Sequence, residues 1–189
     1  MKFFFYFICL LYILSPANSE ESYSKDIKNY FNGITIFKSE FYHIENSEIS
    51  LGNLYFNEDR LRIEYLSPQN LLFVLKNKKV MFFNKELMEV QYFNPKNTPA
   101  QIIIDIFNNK DFFNDFNISE MPQQLLIEKE ILIEDEIHKL TVFFEISPIS
   151  IRKIKISGEI SSFEFALLNI DYNPNFEKSI FSLANPLLN

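Results

Sequence analysis

Two histidines and one acidic run are the residues of this sequence whose types could support catalysis or metal binding. His43 stands near the end of an apolar, strand-like segment, and His138 lies in the charged segment E-D-E-I-H-K. Either imidazole could act as a general acid or base near neutral pH, and the carboxylates of Glu134, Asp135 and Glu136 could bind calcium. Neither histidine belongs to a zinc-ligand spacing, so both are interpreted as ordinary surface residues. The acidic run is interpreted as a solvated turn, with a calcium site as the alternative.

The other common catalytic motifs are missing from the sequence. It has no glycine-rich phosphate-binding loop and no G-x-S-x-G nucleophile elbow. We therefore predict that the protein is not an enzyme, has no catalytic residues, and binds neither a metal nor another cofactor. The alternative, a hydrolase, would require measurable turnover of a substrate that is lost in His43→Ala or His138→Ala.

The N-terminus has the pattern of a secretory signal peptide, residues 1–19. A lysine precedes an apolar run at positions 3–14, which a proline and the small-residue site A-N-S at 17–19 follow. A membrane anchor is the alternative, but the run is shorter than the roughly 20 apolar residues that span a bilayer. Cleavage would leave one domain, residues 20–189, without the single cysteine, Cys9, and so without disulfides or a lipid anchor. We expect this domain in the periplasm.

The composition excludes some partners. The formal net charge is −7, which argues against nucleic acid and against a position on anionic lipid. The chain has 22 Phe among its 189 residues, but a biased genome explains that number as well as an apolar cavity does.

The elements that must position these residues follow from the spacing of the apolar side chains. Residues 22–32 have helical spacing that ends at Gly33, and Thr98-Pro99 is a typical helix start. Alternation and short polar breaks predict antiparallel strands both before and after the second helix. A less regular stretch at 111–122 lies between the second helix and the strands that follow it. The predicted strands are 34–44, 49–57, 60–66, 71–76, 79–84, 87–93, 124–133, 139–146, 149–157 and 160–171.

This order of elements predicts a mainly β fold. So many consecutive antiparallel strands curl to bury one face, and helices that arrive within the series pack on that face or close an open side. We predict a curved sheet or incomplete barrel with the helices on its inner face.

Alternation also indicates which side chains share a face. Leu54 and Phe56 lie on one side of their strand, and Leu61, Ile63 and Tyr65 lie on one side of the next. Spacing alone favours ordinary core packing of these side chains over a ligand cavity.

Four segments together resemble the LolA family of periplasmic outer-membrane lipoprotein carriers. These segments are G-N-L-Y-F-N-E-D-R-L-R-I-E-Y-L-S-P at 52–68, L-L-F-V-L-K-N-K-K-V-M-F-F-N at 71–84, T-P-A-Q-I-I at 98–103 and N-P-N-F-E-K-S-I-F-S-L-A-N-P at 173–186. The resemblance covers about residues 22–186. It implies an unclosed antiparallel β-barrel, a half-barrel of about 10–11 strands that encloses an apolar cavity under an α-helical lid.

The resemblance also implies roles for residues. The cavity would contain Leu54, Phe56, Leu61, Ile63 and Tyr65. The lid would consist of the apolar residues of the two helices: Ile27, Tyr30, Phe31, Ile102, Ile103, Ile106 and Phe107. The chain departs from the family where an Arg-Pro pair holds the lid, because Asn57 and Glu58 stand at those positions. Arg60 and Arg62 are possible substitutes, but alternation places both on the other side of their strand.

The function implied is that of a monomeric lipoprotein chaperone. It would bind acylated lipoproteins released by an inner-membrane ABC-type complex and carry them to the outer membrane, where a lipoprotein receptor is a further candidate partner. The alternative is a non-enzymatic envelope protein that uses the same curved sheet to bind a protein partner.

Overall fold

A computed structural model describes residues 19–188, with the exception of 46, 97–98, 109–111, 134 and 160–161. The signal peptide predicted for residues 1–19 therefore lies, apart from Ser19, outside the described residues. The same is true of Cys9, the predicted helix cap Thr98 and Glu134 of the acidic run. No helix within the described ranges is long and apolar enough to cross a bilayer.

Two α-helices flank the first set of strands. Helix α1 covers Ser19–Gly33 and helix α2 covers Pro99–Asn108. The predicted end of α1 at Gly33 and the predicted start of α2 at Pro99 are both confirmed. Helix α1 begins three residues earlier than its apolar spacing indicated, because its first turn is polar and carries no periodic signal.

Eleven strands form one sheet in the described part of the chain, which confirms the predicted number. They are Ile36–Glu45 (β1), Glu48–Asn57 (β2), Arg60–Ser67 (β3), Leu71–Lys76 (β4), Lys79–Asn84 (β5), Glu89–Phe93 (β6), Asn117–Met121 (β7), Gln124–Ile133 (β8), Glu136–Ile146 (β9), Ile149–Ser157 (β10) and Ser162–Asp171 (β11).

The sheet is an antiparallel meander that is not closed into a barrel. Its order is β6-β5-β4-β3-β2-β1-β11-β10-β9-β8-β7. Every neighbouring pair is a hairpin except β1 and β11, which join the first strand to the last. The chain passes from one edge strand, β6, to the other, β7, through α2. The unclosed form predicted from the sequence is therefore confirmed.

Several strand predictions differ from the structure; β9, for example, begins at Glu136 and not at residue 139. Strand β7 lies inside the stretch interpreted as irregular, because four of its five side chains are exposed at the sheet edge and show no apolar alternation. Its pairing with β8 holds it in place. Strand β6 begins at Glu89 and not at residue 87, because Leu87 and Met88 lie in the preceding turn, where Met88 has a φ of 53°.

Apolar side chains are buried on both faces of part of the sheet. The inner face, defined here as the face that packs against α1 and α2, belongs to the main core. The opposite, outer face of β4 and β5 forms a smaller core with the C-terminal segment, in which Phe181 is fully buried. This segment includes two 3-10 turns, Lys178–Phe181 and Pro186–Leu188. Burial from both sides explains why residues 71–75 are apolar without alternation.

Candidate functional site

The five residues predicted to line a cavity lie side by side on the inner face. Strands β2 and β3 pair so that Leu54 is opposite Ile63 and Phe56 is opposite Leu61. Each of these four side chains is at most 6% exposed, and Tyr65 is half-buried beside them. Their predicted common facing agrees with the structure, whereas their contact with a ligand stays a prediction.

The seven predicted lid residues pack against this face. Tyr30 is half-buried and the other six are at most 7% exposed. All seven belong to or pack against the same apolar core as the strand residues. The lid residues are Ile27, Tyr30, Phe31, Ile102, Ile103, Ile106 and Phe107.

Interlocking aromatic rings join the helices to the sheet. The Phe107 ring of α2 packs against both Phe37 and Phe56, with ring centroids 4.8 and 5.1 Å away, and the latter two rings stack on each other at 5.3 Å. The Phe31 ring of α1 stacks on Phe113 at 4.4 Å and meets the edge of Phe144 at 5.8 Å. We call the end of the inner face formed by these six partners, Phe31, Phe37, Phe56, Phe107, Phe113 and Phe144, the helix-covered end.

Sequence reasoning missed three residues of this end. Phe37 was detectable, because β1 alternates buried and exposed positions over most of its length. Phe144 was detectable in the same way on β9. Phe113 gave no such signal, since it lies in a connection between α2 and β7 where no period applies.

A polar network also binds α1 to the sheet. The Tyr30 hydroxyl accepts a hydrogen bond from the backbone N–H of Ile151 at 3.1 Å and is 2.8 Å from the Tyr172 hydroxyl. The Tyr172 hydroxyl in turn lies 2.9 Å from Ser150 Oγ. Burial, and then the hydrogen bond with Tyr172, raise the pKa of Tyr30 above its usual value, so it stays neutral.

The family's latch position does not face the helices. Asn57 is the last residue of β2, and alternation places it on the opposite side from Leu54 and Phe56. Arg62 also lies on the outer face, as predicted, where its Nη1 donates to the Ile180 carbonyl at 2.8 Å and its other nitrogen pairs with Glu64. Among the described residues, tyrosines and not an arginine make the hydrogen bonds between α1 and the sheet: Tyr30 in the network above, and Tyr23 with Glu120 at an exposed position.

A second aromatic group occupies the other end of the inner face. His43, Phe41 and Tyr65 meet there, with ring centroids 5.1 Å apart for Phe41 and Tyr65 and 5.7 Å for His43 and Tyr65. Phe163 lies 4.4 Å from His43, and Phe73 lies 6.0 Å from Tyr65. We call these five residues the distal end. None of the ring contacts found in the described residues links it to the helices.

Gly52 makes this arrangement possible. A Cβ at this position would stand 2.5 Å from Cζ of Phe41 and 2.0 Å from the Glu64 carbonyl oxygen. The Phe41 ring can therefore cross β2 and reach Tyr65 only because residue 52 has no side chain.

His43 is not the surface residue expected from the sequence. Its side chain is 8% exposed, and its Nδ1 is 3.0 Å from the Tyr65 hydroxyl. The prediction was wrong because β1 continues its alternation to position 43, which therefore faces inward with Phe37 and Phe41. Burial lowers the pKa of His43 despite the opposing charge of Glu45, so the imidazole is neutral near pH 7.

The remaining candidate residues do not come together as a reactive site. His138 is half-buried in β9, with Nδ1 3.1 Å from the Glu136 carbonyl oxygen, and Asp135 and Glu136 are exposed. Among the described residues, no group of three His, Cys, Asp or Glu side chains could hold a metal ion. What the inner face offers chemically is an apolar, aromatic surface with a few neutral hydrogen-bonding groups.

Comparison with known proteins agrees with this arrangement. The sequence model described as "Outer membrane lipoprotein carrier protein LolA" matches residues 42–184. No curated protein sequence matches the chain. An uncharacterized conserved protein from Thermus thermophilus has a similar structure, with a TM-score of 0.57 at 9% identity over 88% of this chain and 96% of that one. A DUF1329 family protein from Desulfovibrio piger has a TM-score of 0.50 at 8% identity over 86% and 97% of the two chains. At these identities the two structures establish a shared fold.

Proposed function

This chain belongs to the LolA family of outer membrane lipoprotein carrier proteins, and we propose that it shields the acyl chains of lipoproteins between the two membranes of the envelope. In this proposal it is a monomer in the periplasm. Lipoproteins released from the inner membrane would bind to its inner face and leave it at the outer membrane.

One observation carries the proposal: two amphipathic helices bury their apolar sides on an apolar sheet face. Leu54, Phe56 and Leu61 are at most 1% exposed under this cover. Apolar contact is non-directional, so acyl chains can replace the apolar side chains of the helices on this face. Closed and loaded states then bury similar kinds of surface, and the helices act as a lid that cargo displaces.

The energetics imply a partner at the inner membrane. Each buried methylene contributes about 0.8 kcal/mol, so an anchor of two or three acyl chains leaves a bilayer extremely slowly. We propose that an inner-membrane ABC-type complex supplies the work of extraction. Delivery has no such energy source, so binding must be weak enough for release to the outer membrane, where a lipoprotein receptor is the candidate recipient.

A protein-binding role in the envelope is the second candidate. The observation that favours it is the dense ring packing of the helix-covered end, where Phe31 and Phe113 stack at 4.4 Å. A face filled in this way could be a permanent core, leaving other surfaces to bind a partner. The two candidates differ in whether the helices leave the sheet when acyl chains are present.

Native mass spectrometry distinguishes these candidates. The protein is purified from cells that express the full chain and is mixed with an acylated lipoprotein or with the same lipoprotein after removal of its acyl chains. The carrier proposal predicts a one-to-one complex with the acylated form alone. Equal binding of both forms would favour the protein-binding role, and binding of neither would contradict the carrier proposal.

A further inference from the structure

His43 is the one histidine on the inner face whose hydrogen bonding is incomplete. Its Nδ1 is 3.0 Å from the Tyr65 hydroxyl, but its Nε2 is buried and has no partner among the described residues. An unpaired polar atom in an apolar site destabilises the protein by about 1–3 kcal/mol. Such atoms are uncommon in folded proteins and call for an explanation.

The hydrogen-bonding pattern identifies Nε2 as a donor. If Nδ1 carried the proton, it would donate to the Tyr65 oxygen, and both the Tyr65 O–H and the lone pair of Nε2 would need other partners. If Tyr65 donates to Nδ1, a single group is left over, the Nε2–H. Burial raises the pKa of Tyr65, which keeps its hydroxyl proton in place. The second arrangement leaves fewer groups unpaired. The group of His43 that lacks a hydrogen-bond partner is therefore the Nε2–H.

The surroundings of this N–H restrict the kind of acceptor. Rings of Phe163 and Tyr65 flank His43, and both are half-buried, so this part of the inner face is partly open to solvent although Nε2 itself is buried. The neighbouring charge that acts on His43 is the carboxylate of Glu45, which disfavours an anion. A neutral acceptor attached to apolar groups fits this site best, and an ester carbonyl is the acceptor that acyl lipids carry.

The position along the strand fits the same ligand. His43 is six residues along β1 from Phe37, or about 20 Å at the usual rise of a strand. Acyl chains that displaced the helices near Phe37 and Phe56 would extend along the face toward the distal end. The ester groups, which join those chains to glycerol, would then come near His43.

We propose that the Nε2–H of His43 donates a hydrogen bond to an acyl ester carbonyl of a diacylglyceryl group bound along the inner face. The site thus recognises the ester linkage as well as the acyl chains. This inference rests on the proposed carrier function.

The test compares two short lipopeptides that differ only in their linkage. One carries a diacylglyceryl group on its N-terminal cysteine, and the other carries the matching dialkyl ether, which lacks the carbonyls. We expect the protein to bind the ester form about five to ten times more tightly, the effect of one hydrogen bond in an apolar site. His43→Phe keeps a flat ring and should bind the ester and ether forms with equal affinity. The matched control, His138→Phe, should keep the preference.

The outcomes separate the inference from the function on which it rests. If wild type binds both lipopeptides equally, or if His43→Phe keeps the preference, the inference is wrong while the carrier proposal stands. If neither lipopeptide binds to any of the proteins, the carrier proposal itself fails.

A second measurement needs no variant and decides the case if His43→Phe does not fold. The chain has only two histidines, so the ring nitrogens of 15N-histidine-labelled protein can be assigned by NMR. We expect a proton on Nε2 of His43 whose resonance shifts with the ester lipopeptide and not with the ether. A bound ester state with the proton on Nδ1 would overturn the inference.

Discussion

The helix-covered end and the distal end of the inner face are built from the same kinds of residue but are packed differently. At the helix-covered end, Phe107 of a helix packs against both Phe37 and Phe56 of the sheet. At the distal end, aromatic rings on β1, β3 and β11 contact one another, and Tyr65 and Phe163 are half-buried. The first end therefore buries its apolar surface under the helices, whereas the second leaves part of a similar surface accessible.

The polar groups differ in a corresponding way. At the helix-covered end, the Tyr30 hydroxyl is fully engaged with Ile151 and Tyr172. At the distal end, His43 keeps one ring nitrogen without a partner in the described residues. We infer that the helix-covered end is adapted to hold the lid on the sheet and the distal end to receive a ligand group. Each prediction below changes one end and leaves the other as its reference.

The largest effect is expected from a charge on the inner face. Leu61→Glu or Ile63→Glu should abolish binding of an acylated lipoprotein, a loss of more than about a hundredfold, because a buried carboxylate costs several kcal/mol. The amount of acylated lipoprotein that co-purifies with each variant measures this loss of binding. The matched control is Leu66→Glu on the same strand, where the side chain is 51% exposed. Binding by Leu61→Glu and Ile63→Glu at the wild-type level would show that this face does not take up acyl chains.

The second largest effect is expected on the packing of α2 against the sheet. Phe107→Ala removes the ring that packs against both Phe37 and Phe56, and a buried Phe→Ala change costs about 3–5 kcal/mol. We expect faster hydrogen exchange of the α2 amides together with a lower free energy of unfolding. Phe163→Ala at the distal end is the control, and it should leave α2 exchange unchanged. If Phe107→Ala does not speed α2 exchange, this ring does not hold the helix on the sheet.

A smaller effect is expected from the Tyr30 hydroxyl. Tyr30→Phe leaves the Ile151 N–H without its acceptor, which costs about 1–3 kcal/mol, and should speed hydrogen exchange in α1 more than in α2. Tyr23→Phe is the control in the same helix, because the Tyr23 hydroxyl donates to Glu120 at an exposed position and its loss should cost under about 0.5 kcal/mol. Equal effects of the two substitutions would mean that the Tyr30 network does not fasten α1.

Sequence reasoning predicted the sheet well because its signal is local. Alternation placed Leu54, Phe56, Leu61 and Ile63 on one face, and short polar breaks fixed the antiparallel meander. It failed for β7, whose exposed side chains carry no alternation. It could not show that β1 pairs with β11, because that contact joins segments far apart in the sequence.

The site was less predictable than the fold because its features depend on contacts between elements. The Tyr30 network joins α1 to β10 and to Tyr172, three segments with no shared pattern. The environment of His43 depends on Tyr65 and Phe163 of other strands. Its inward facing was nevertheless readable from the alternation of β1, and the error lay in treating a histidine near a strand end as exposed.

The smallest effect is expected where the resemblance alone would suggest a large one. Asn57→Arg restores the basic residue expected at the family's latch, and on that basis it should favour the closed lid. In this chain residue 57 faces away from the helices, and its strand partners are Ile36 and Arg60. An arginine there would meet the like charge of Arg60 on the outer side and could not reach α1 or α2. We therefore expect α1 and α2 exchange rates to stay at the wild-type level, with stability changed by less than about 0.5 kcal/mol. Slower hydrogen exchange in either helix would mean that the end of β2 can turn inward. Residue 57 would then hold a helix on the sheet through a contact that this structure does not show.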